Sequence, residues 1–230
     1  KRLTMQLEQI LRFFANYIEK ELGIVYSETN YFQLQSRLEE IAKLQGVASL
    51  DELYVSAQTG IHGAFKQLLL DIATNNETSF FRDNKIFKAI ESQVLAKSKP
   101  GEKLKIWSAA SSTGQEALSL AMMIEEYCQK NQVRIPYEIL ATDISERVLN
   151  RAKSGTYFQL EVQRGLPTPY LLKYFKKEGE DRWIASTAIL NKIEYRKLNL
   201  KDKLPYQQEF QLILCRIVLI YQRVEAKREI

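Results

Sequence analysis

The amino-acid sequence predicts an α/β fold in which a mostly parallel sheet follows an N-terminal helical domain. In the middle of the chain, short apolar runs of strand length alternate with helical patterns. In the first 75 residues, apolar side chains recur instead at spacings of three and four, which places them on one face of each helix. The chain has 230 residues, of which 45% are hydrophobic and 27% charged, enough for one large or two modest domains.

Residues 1–75 are predicted to form a helical domain of their own. Helical spacing of apolar residues runs over 7–22 and again over 34–44, where Gly46 is typical of a helix C-cap. Ser49 and Glu52 have the spacing of a capping box ahead of a third helix. A fourth helix is expected over 64–72.

Residues 76–230 are predicted to form the α/β domain. The alternation stops after Gly155, so residues of about 156–192 indicate an insertion with one small strand at 183–185. Around it we expect helices at 84–97, 115–130 and 145–153 and strands at 103–108, 138–142, 193–198 and 210–215.

The most informative segment is the transition from the first predicted strand to the helix at Gln115. The small and hydroxylic residues 108–114 connect the two. Such a turn lets backbone approach a ligand, and the helix start offers unpaired N–H groups. Its single glycine, Gly114, differs from the three-glycine pattern of dinucleotide-binding folds, so pyrophosphate is not the expected ligand. An ordinary strand–helix connection is an equally weighted alternative for this segment alone.

Four residues are predicted to follow the carboxyl ends of strands, where open α/β sheets bind ligands. Asp143 is typical of a carboxylate that accepts hydrogen bonds from ribose hydroxyls, and capping of the helix at Ser145 is the equal alternative. Asn199 suits the edge of an adenine, or simply a strand-ending turn. Arg216 and Tyr221 follow the last strand, and as isolated residues such side chains more often serve packing or lie on the surface.

Charge and rare residue types limit the classes of function. Residues 1–75 carry a net charge of −2 and residues 76–230 a net charge of +7. The second region therefore favours an anionic partner, either nucleic acid or an acidic protein surface, or it is a solvated face with no partner. The sole histidine, His62, is expected at a turn or helix start, so a Ser-His-Asp triad, a Cys-His pair or a histidine metal centre is excluded. Cys128 and Cys215 indicate core residues of a reducing compartment rather than a disulfide or metal site.

Five segments resemble the CheR-type chemotaxis receptor methyltransferases, which use S-adenosylmethionine to methylate receptor glutamates. The first two, 76–82 (Asn-Glu-Thr-Ser-Phe-Phe-Arg) and 107–116 (Trp-Ser-Ala-Ala-Ser-Ser-Thr-Gly-Gln-Glu), are specific to this family. The others, 139–144, 152–157 and 214–221, follow in the family's order. The resemblance implies a Rossmann-like S-adenosylmethionine methyltransferase sheet with an N-terminal helical domain and a small β insertion. It also implies a C-terminally truncated sheet, because the sequence ends at Ile230 within the helix after the last segment.

The resemblance implies a cofactor site without metal. The first segment holds the methionine end, Asp143 binds ribose, and Asn199 with Leu200 borders the adenine. The implied cofactor-binding residues are Asn76, Thr78, Arg82, Ala109, Gln115, Asp143, Asn199, Leu200 and Arg216, and the implied catalytic residues near the methyl transfer point are Arg82, Arg216 and Tyr221.

The implied partner is the acidic helical surface of a chemoreceptor cytoplasmic domain, contacted by the basic insertion. A glutamate with a pKa of about 4.3 is already ionised at neutral pH, so the lack of a histidine base is no obstacle. Carboxylate and sulfonium neutralise each other as they react, so a dry site that aligns them favours transfer. An arginine, Arg82 or Arg216, suits bidentate binding of the substrate carboxylate. A cytoplasmic location is expected, with neither nucleic-acid binding nor membrane insertion.

Three departures from the family pattern carry expectations of their own. Ile217 stands where the family usually has asparagine, which leaves a catalytically impaired, CheR-like binding module as the alternative function. The short segment 176–181 has one glycine and predicts no docking to a receptor's C-terminal pentapeptide. The end at Ile230 predicts an exposed apolar edge at 212–215 and self-association or low stability of the 230-residue form. A nucleic-acid methyltransferase, suggested by a pI of about 9.0, is a weaker alternative because no aromatic-plus-basic RNA-binding motif is present.

Overall fold

A computed structural model describes residues 5–74, 78–99, 101–202 and 209–216. The chain divides into two compact units. Of the described residues, 5–74 and 199–202 form the helical unit, and 78–99, 101–198 and 209–216 form the α/β unit. Among the described helices, none combines the length and apolar character needed to cross a bilayer.

The helical unit contains the helices that the spacing of apolar residues predicts. They are α1 (Met5–Leu22), α2 (Tyr31–Gln45), α3 (Leu50–Gln58) and α4 (Gly63–Ala73). Phe14 and Ile18 of α1 and Leu38 of α2 are fully buried in its core. The end of α4 is fixed by Ala73, whose carbonyl accepts hydrogen bonds from the Tyr26 hydroxyl at 3.0 Å and from Arg37 Nη1 at 2.7 Å.

The predicted helix caps are present, with one difference. Gly46 ends α2 in the left-handed conformation, with φ of 71°. Ser49 Oγ accepts the N–H of Glu52, as expected of an N-cap. Glu52 Oε2, however, accepts the N–H of Ala48 rather than that of Ser49, so the predicted capping box is displaced by one residue. His62 is the residue just before α4, the helix-start position that the sequence predicts.

The α/β unit alternates helices and strands and confirms the predicted fold class. Its elements are α5 (Asn84–Gln93), β1 (Leu104–Ala109), α6 (Gln115–Asn131), β2 (Tyr137–Asp143), α7 (Glu146–Ser154), β3 (Thr156–Phe158), α8 (Gln159–Gln163), α9 (Thr168–Tyr174), β4 (Phe175–Glu178), β5 (Arg182–Ala185), α10 (Thr187–Leu190), β6 (Ile193–Lys197) and β7 (Leu212–Cys215). The main sheet has the order β6-β2-β1-β7, and the three strand pairs in it are parallel.

The register of the main sheet brings the carboxyl ends of its strands together. Ala109 at the end of β1 lies opposite Thr142 of β2 and Cys215 of β7. Asp143 at the end of β2 lies opposite Lys197 of β6. The loops that follow these strands therefore meet along one rim of the sheet, where α/β proteins bind ligands.

The insertion differs from its prediction. It contains a three-stranded antiparallel sheet of order β3-β5-β4, whereas the sequence predicts only the strand at 183–185. Strands β3 and β4 are three and four residues long, and three of the four β4 residues are exposed and charged, so they carry no alternating pattern. Helix α5 also ends earlier than predicted, at Gln93, and a short 3₁₀ turn covers 95–97.

Two further expectations concern the cysteines and the edge of the main sheet. Cys128 and Cys215 are free thiols. Both are only half-buried, so the prediction that they are core residues overestimates their burial.

Within the described ranges, β7 pairs with β1 on one side and forms the sheet edge on the other. Self-association through this edge stays a prediction.

Candidate active site

The loop after β1 is held in a strained conformation at the rim of the sheet. Ala110 and Ser112 have positive φ angles of 57° and 50°, and Gly114 has 90°. Each left-handed residue other than glycine costs about 1–2 kcal/mol, and such strain concentrates at functional sites. The N–H of Ser111 donates to the Thr142 carbonyl at 2.8 Å, which ties this loop to the end of β2.

Gly114 is required here by conformation and by space. A Cβ atom at this position would lie 2.9 Å from the Tyr195 hydroxyl, 3.0 Å from Ala152 Cβ and 3.1 Å from the Tyr157 hydroxyl. The buried Tyr157 hydroxyl donates to the Thr113 carbonyl at 2.7 Å. The small sheet of the insertion, through β3, thereby fixes the turn that precedes α6.

Asp143 connects the loops after β1 and β2. It is 6% exposed, and its Oδ2 accepts the N–H of Ser112 at 2.9 Å while its Oδ1 accepts the N–H of Ser145 at 3.0 Å. The N-cap of α7 is Ser145, whose Oγ accepts the N–H of Val148. The alternative that Asp143 itself caps α7 is therefore wrong. Each carboxylate oxygen has two acceptor positions, so this side chain suits hydroxyl donors beside backbone N–H groups.

Glu116 and Arg216 form a largely buried ion pair beside the strained loop. Their side chains are 15% and 14% exposed, and Arg216 Nη1 lies 3.2 Å from Glu116 Oε2. Ser108 Oγ donates to Glu116 Oε1 at 2.7 Å, and Arg216 Nη2 donates to the Arg82 carbonyl at 2.6 Å. Burial raises the pKa of Glu116, against the lowering effects of the Ser108 hydrogen bond and the charges of Arg216 and Arg82. Buried charges with shifted pKa values are typical of functional sites.

The segment before α5 packs against the start of α6. The N–H of Phe81 donates to Ser119 Oγ at 2.9 Å, and the same hydroxyl donates to the Gln115 carbonyl at 2.6 Å. Phe81 and Asp83 have positive φ angles of 47° and 64°. Phe80 is fully buried. Backbone strain is therefore found on both segments that the sequence singles out.

Two buried hydroxyls at the rim have no hydrogen-bond partner among the described residues. They are Ser111 Oγ, in the strained loop, and the Tyr195 hydroxyl, which lies next to Gly114. An unsatisfied buried polar group costs about 1–3 kcal/mol. These groups fit a polar ligand that supplies the missing partners. In the described part of the chain, no cluster of three or more possible metal-ligating side chains is present.

Comparison with known proteins identifies the family. Residues 76–230 match the family described as "CheR methyltransferase, SAM binding domain". This chain belongs to the CheR methyltransferase family. S-adenosylmethionine is therefore its cofactor, and the orphaned hydroxyls, the buried carboxylate and the strained turn at the rim fit such a polar, hydroxyl-bearing ligand.

Relatives of this CheR protein match most of its length. Chemotaxis protein methyltransferase 1 of Pseudomonas aeruginosa is 39% identical over 222 residues, which cover 94% of this chain and 81% of the relative. Chemotaxis protein methyltransferase Cher2 of Pseudomonas putida is 36% identical over the same shares of both chains. A chemotaxis protein methyltransferase of Vibrio parahaemolyticus is 32% identical over 225 residues, 97% of this chain and 82% of the relative. The chain is an S-adenosylmethionine-dependent methyltransferase.

Several predicted site residues lie together in the α/β unit of this CheR protein. Arg82 and Arg216 are hydrogen-bonded, and Ala109 is buried at the end of β1. Gln115 is buried at the start of α6, where its Oε1 accepts from Thr113 Oγ1 at 2.7 Å. Thr78 lines the same cavity as Gln115. These residues and Asp143 stay predicted cofactor ligands.

The remaining predicted site residues lie outside the described residues or belong to the helical unit. Asn76, Tyr221 and the unusual Ile217 lie outside the described residues. Asn199 and Leu200 belong to the helical unit, where Asn199 Nδ2 donates to the Glu21 carbonyl of α1 at 3.0 Å. Their predicted place beside the adenine stays a prediction.

Sequence reasoning missed Glu116 and Ser111. Glu116 occupies the first turn of α6, where acidic residues are common because they complement the helix dipole, so its type and position indicate nothing unusual. Ser111 is one of several hydroxylic residues in its loop. The only available signal was the location of both within a family-specific segment.

Proposed function

We propose that this CheR protein transfers the methyl group of S-adenosylmethionine to glutamate side chains of a chemoreceptor, in the cytoplasm. The names of the relatives, chemotaxis protein methyltransferases, support a role in chemotaxis. One observation carries the chemical part of the proposal: the rim of the sheet combines an acceptor carboxylate, Asp143, with a largely buried arginine, Arg216. This combination suits a polar cofactor and an anionic methyl acceptor.

Glutamate is the acceptor that best fits the residues available. The only histidine in the sequence, His62, lies at the start of α4 in the helical unit. A carboxylate with a pKa of about 4.3 is a nucleophile at neutral pH without a general base. Hydroxyl or amine acceptors would need a group that removes a proton, so a glutamate carboxylate, which needs none, is the favoured acceptor.

We assign the cofactor's parts to residues of the chain as follows. Asp143 binds the ribose hydroxyls, and Glu116 binds the ammonium of the methionine part, since the ion pair places a largely buried carboxylate at the rim. The other proposed ligands are Asn76, Thr78, Arg82, Ala109, Gln115, Asn199, Leu200 and Arg216. The bound cofactor supplies a methyl group on a positively charged sulfur.

The arginines of the site orient the acceptor. The Arg216 guanidinium is held by Glu116 and by the carbonyl of Arg82, which fixes its direction before substrate binds. Preorganised donors of this kind align a carboxylate better than mobile side chains do. Arg82, Arg216 and Tyr221 are the proposed catalytic residues, and their common task is to orient the acceptor and exclude water.

The receptor contacts are proposed for the insertion at about 156–192. Its β4–β5 connection is short, with Gly179 in the left-handed conformation, and Lys176 and Lys177 are exposed on β4. An exposed basic surface suits an acidic receptor helix. The short connection supports the expectation that docking to a receptor's C-terminal pentapeptide is not used. Residues 1–75 are proposed as a separate helical domain.

A methyl-ester assay tests this function. The protein is incubated with methyl-labelled S-adenosylmethionine and the cytoplasmic fragment of a chemoreceptor. The expected product is a base-labile methyl ester on the fragment, absent when its methylatable glutamates are replaced by alanine. Cofactor binding without any ester would favour the non-catalytic module, for which the comparisons offer no support. Labelling of RNA instead of the fragment would favour the nucleic-acid alternative.

A further inference from the structure

Tyr157, on β3 of the insertion, contacts both segments that are specific to the family. Its side chain is fully buried, and its hydroxyl donates to the Thr113 carbonyl at 2.7 Å. Its ring meets the edge of the Phe80 ring, with the two ring centres 5.1 Å apart. Thr113 and Phe80 belong to the segments 107–116 and 76–82, which carry predicted cofactor ligands. One side chain of the insertion therefore joins two cofactor segments that are far apart in sequence.

Two further parts of the insertion enclose Phe80, which is fully buried. Phe175, the first residue of β4, has its ring centre 5.7 Å from that of Phe80 and 6.2 Å from that of Tyr157. Gly165, two residues after α8, packs so closely on Phe80 that a Cβ atom there would lie 2.1 Å from the Phe80 carbonyl oxygen. Edge-to-face aromatic pairs are favourable beyond the area that they bury. The insertion and the segment 76–82 therefore form one packed cluster.

The turn that Tyr157 contacts is strained and needs support from outside. Ser112 and Gly114, on either side of Thr113, have positive φ angles of 50° and 90°. Strained backbone persists only where its surroundings hold it in place. The N–H of Ser112 donates to Asp143 Oδ2 at 2.9 Å, so a shift of this turn also moves a donor to Asp143. Loss of the Tyr157 hydroxyl would take a donor from the buried Thr113 carbonyl and let the turn relax.

We propose that Tyr157 is a positioning residue for S-adenosylmethionine. It acts through Thr113 and Phe80, whose segments it holds in the arrangement that binds the cofactor. The proposal rests on the cofactor assignment of the proposed function, because that assignment places the cofactor beside these two segments. The insertion then has a second role besides receptor contact, as the support of the cofactor site.

Linkage makes this effect reciprocal. If the packed insertion raises the affinity for the cofactor by a given factor, the bound cofactor stabilises the packed insertion by the same factor. Strand β3 pairs with β5 through Tyr157 and Trp183 and through Phe158 and Arg182, and these residues lie outside the two cofactor segments. We therefore expect bound S-adenosylhomocysteine to slow amide hydrogen exchange in β3 and β5.

The first measurement compares two tyrosine variants of the full chain. Tyr157→Phe removes the hydroxyl that reaches Thr113 and keeps the ring. Tyr174→Phe is the matched control, because Tyr174 is also a buried tyrosine of the insertion and its hydroxyl donates to Glu126 Oε1 on α6 at 2.6 Å. Each variant loses one hydrogen bond, so each is expected to lower Tm by about 2–4 °C. Only Tyr157→Phe is expected to weaken S-adenosylhomocysteine binding in calorimetric titration, by about fivefold.

Kinetics and hydrogen exchange separate positioning from a general loosening of the insertion. In the methyl-ester assay, Tyr157→Phe is expected to raise the KM for S-adenosylmethionine about fivefold, while kcat and the KM for the receptor fragment change by less than about twofold. In wild type, S-adenosylhomocysteine is expected to slow amide exchange in β3 and β5. At the same ligand concentration, this protection is expected to be smaller in Tyr157→Phe.

Three results would each overturn the proposal. They are unchanged cofactor affinity in Tyr157→Phe, equal losses of affinity in Tyr157→Phe and Tyr174→Phe, and wild-type exchange in β3 and β5 that the ligand leaves unchanged. The last result needs no variant, so it decides the proposal whether or not Tyr157→Phe folds.

Asp143→Asn tests the cofactor assignment separately. Weaker binding in Asp143→Asn with unchanged binding in Tyr157→Phe refutes the role of Tyr157 alone. Weaker binding in Tyr157→Phe with unchanged binding in Asp143→Asn supports the role of Tyr157 and refutes the assignment of Asp143.

Discussion

Folding removes the carboxyl group of Glu116 from water, and its new contacts offset part of the cost of this desolvation. Arg216 and Ser108 both contact it, yet burial is the larger effect and raises its pKa. An ion pair of this kind is a weak source of stability, because desolvation offsets the attraction between the charges. The presence of this ion pair is better explained by a role in the proposed cofactor site than by a contribution to stability.

A pH series tests the state of Glu116. Below about pH 4.3, the ordinary glutamate pKa, the side chain is protonated in folded and unfolded chains alike. As pH rises through the raised pKa of the folded state, the buried group ionises at a cost, and the stability associated with its neutral form is lost. We therefore expect the free energy of unfolding of Glu116→Gln to increase relative to that of wild type as the pH rises from 4 to 7. A difference that stays constant over this range contradicts the raised pKa.

Ser111 tests whether the rim is built for a ligand. Its buried hydroxyl lacks a partner in the described part of the chain, so Ser111→Ala is expected to stabilise the ligand-free protein by about 1 kcal/mol and to weaken S-adenosylhomocysteine binding. Ser145→Ala is the matched control, because that hydroxyl accepts the N–H of Val148 and caps α7. It is expected to destabilise by about 1 kcal/mol. Thermal unfolding and calorimetric titration measure both effects, and a destabilised Ser111→Ala protein would count against a ligand-ready rim.

At the scale of elements, the turn between β1 and α6 depends on Gly114. We expect Gly114→Ala to destabilise the protein by about 2–4 kcal/mol, because the residue has positive φ and the new Cβ meets two tyrosine hydroxyls and Ala152. Gly46→Ala is the matched control, since Gly46 also has positive φ but nothing lies within 4 Å of the added atom. Its expected cost is about 1 kcal/mol, without loss of cofactor binding. Equal costs in chemical denaturation would show that the crowding around Gly114 has no role.

Most elements were predictable because their apolar residues follow one period. The strand at 138–142 and the helix at 145–153 were placed within a residue or two, since a short apolar run marks the strand and Ser145 and Gly155 cap the helix. Strands β3 and β4 were missed because both are short and β4 is largely exposed, so long-range pairing with β5 and not local pattern determines them. The displaced capping box arises from a choice between two neighbouring N–H groups, which sequence spacing does not distinguish.

The site was predictable in outline, but its hydrogen bonds, its ion pair and its backbone conformation were not. Asp143 was identified because an acidic residue at a strand end has few roles, and the parallel register explains why it meets the loop after β1. Glu116 escaped notice because its partner, Arg216, is 100 residues away in sequence and comes close only through the pairing of β1 with β7. The strained φ angles of Ala110 and Ser112 were likewise hidden, since neither residue type indicates a left-handed conformation.

At the scale of the whole molecule, charge is distributed unevenly along the chain. The net charge is −2 over residues 1–75 and +7 over residues 76–230. Attraction between exposed charges is screened by salt, whereas a largely buried cofactor site is screened much less. We expect the KM for the receptor fragment to rise at least severalfold between 50 and 500 mM salt, while the affinity for S-adenosylhomocysteine changes by less than about twofold. A KM that is independent of salt would argue against an acidic partner surface.

The central claim is that the rim of the main sheet binds the adenosyl cofactor through Asp143. Calorimetric titration of the full chain with S-adenosylhomocysteine tests it most directly, with Asp143→Asn as the variant and Asp181→Asn, in the exposed β4–β5 connection, as the control. We predict one binding site in wild type, unchanged affinity in Asp181→Asn, and a loss of about tenfold or more in Asp143→Asn, the usual effect of weakening hydrogen bonds to a charged group. Absence of binding by the wild type, or equal affinity in Asp143→Asn, would contradict the account.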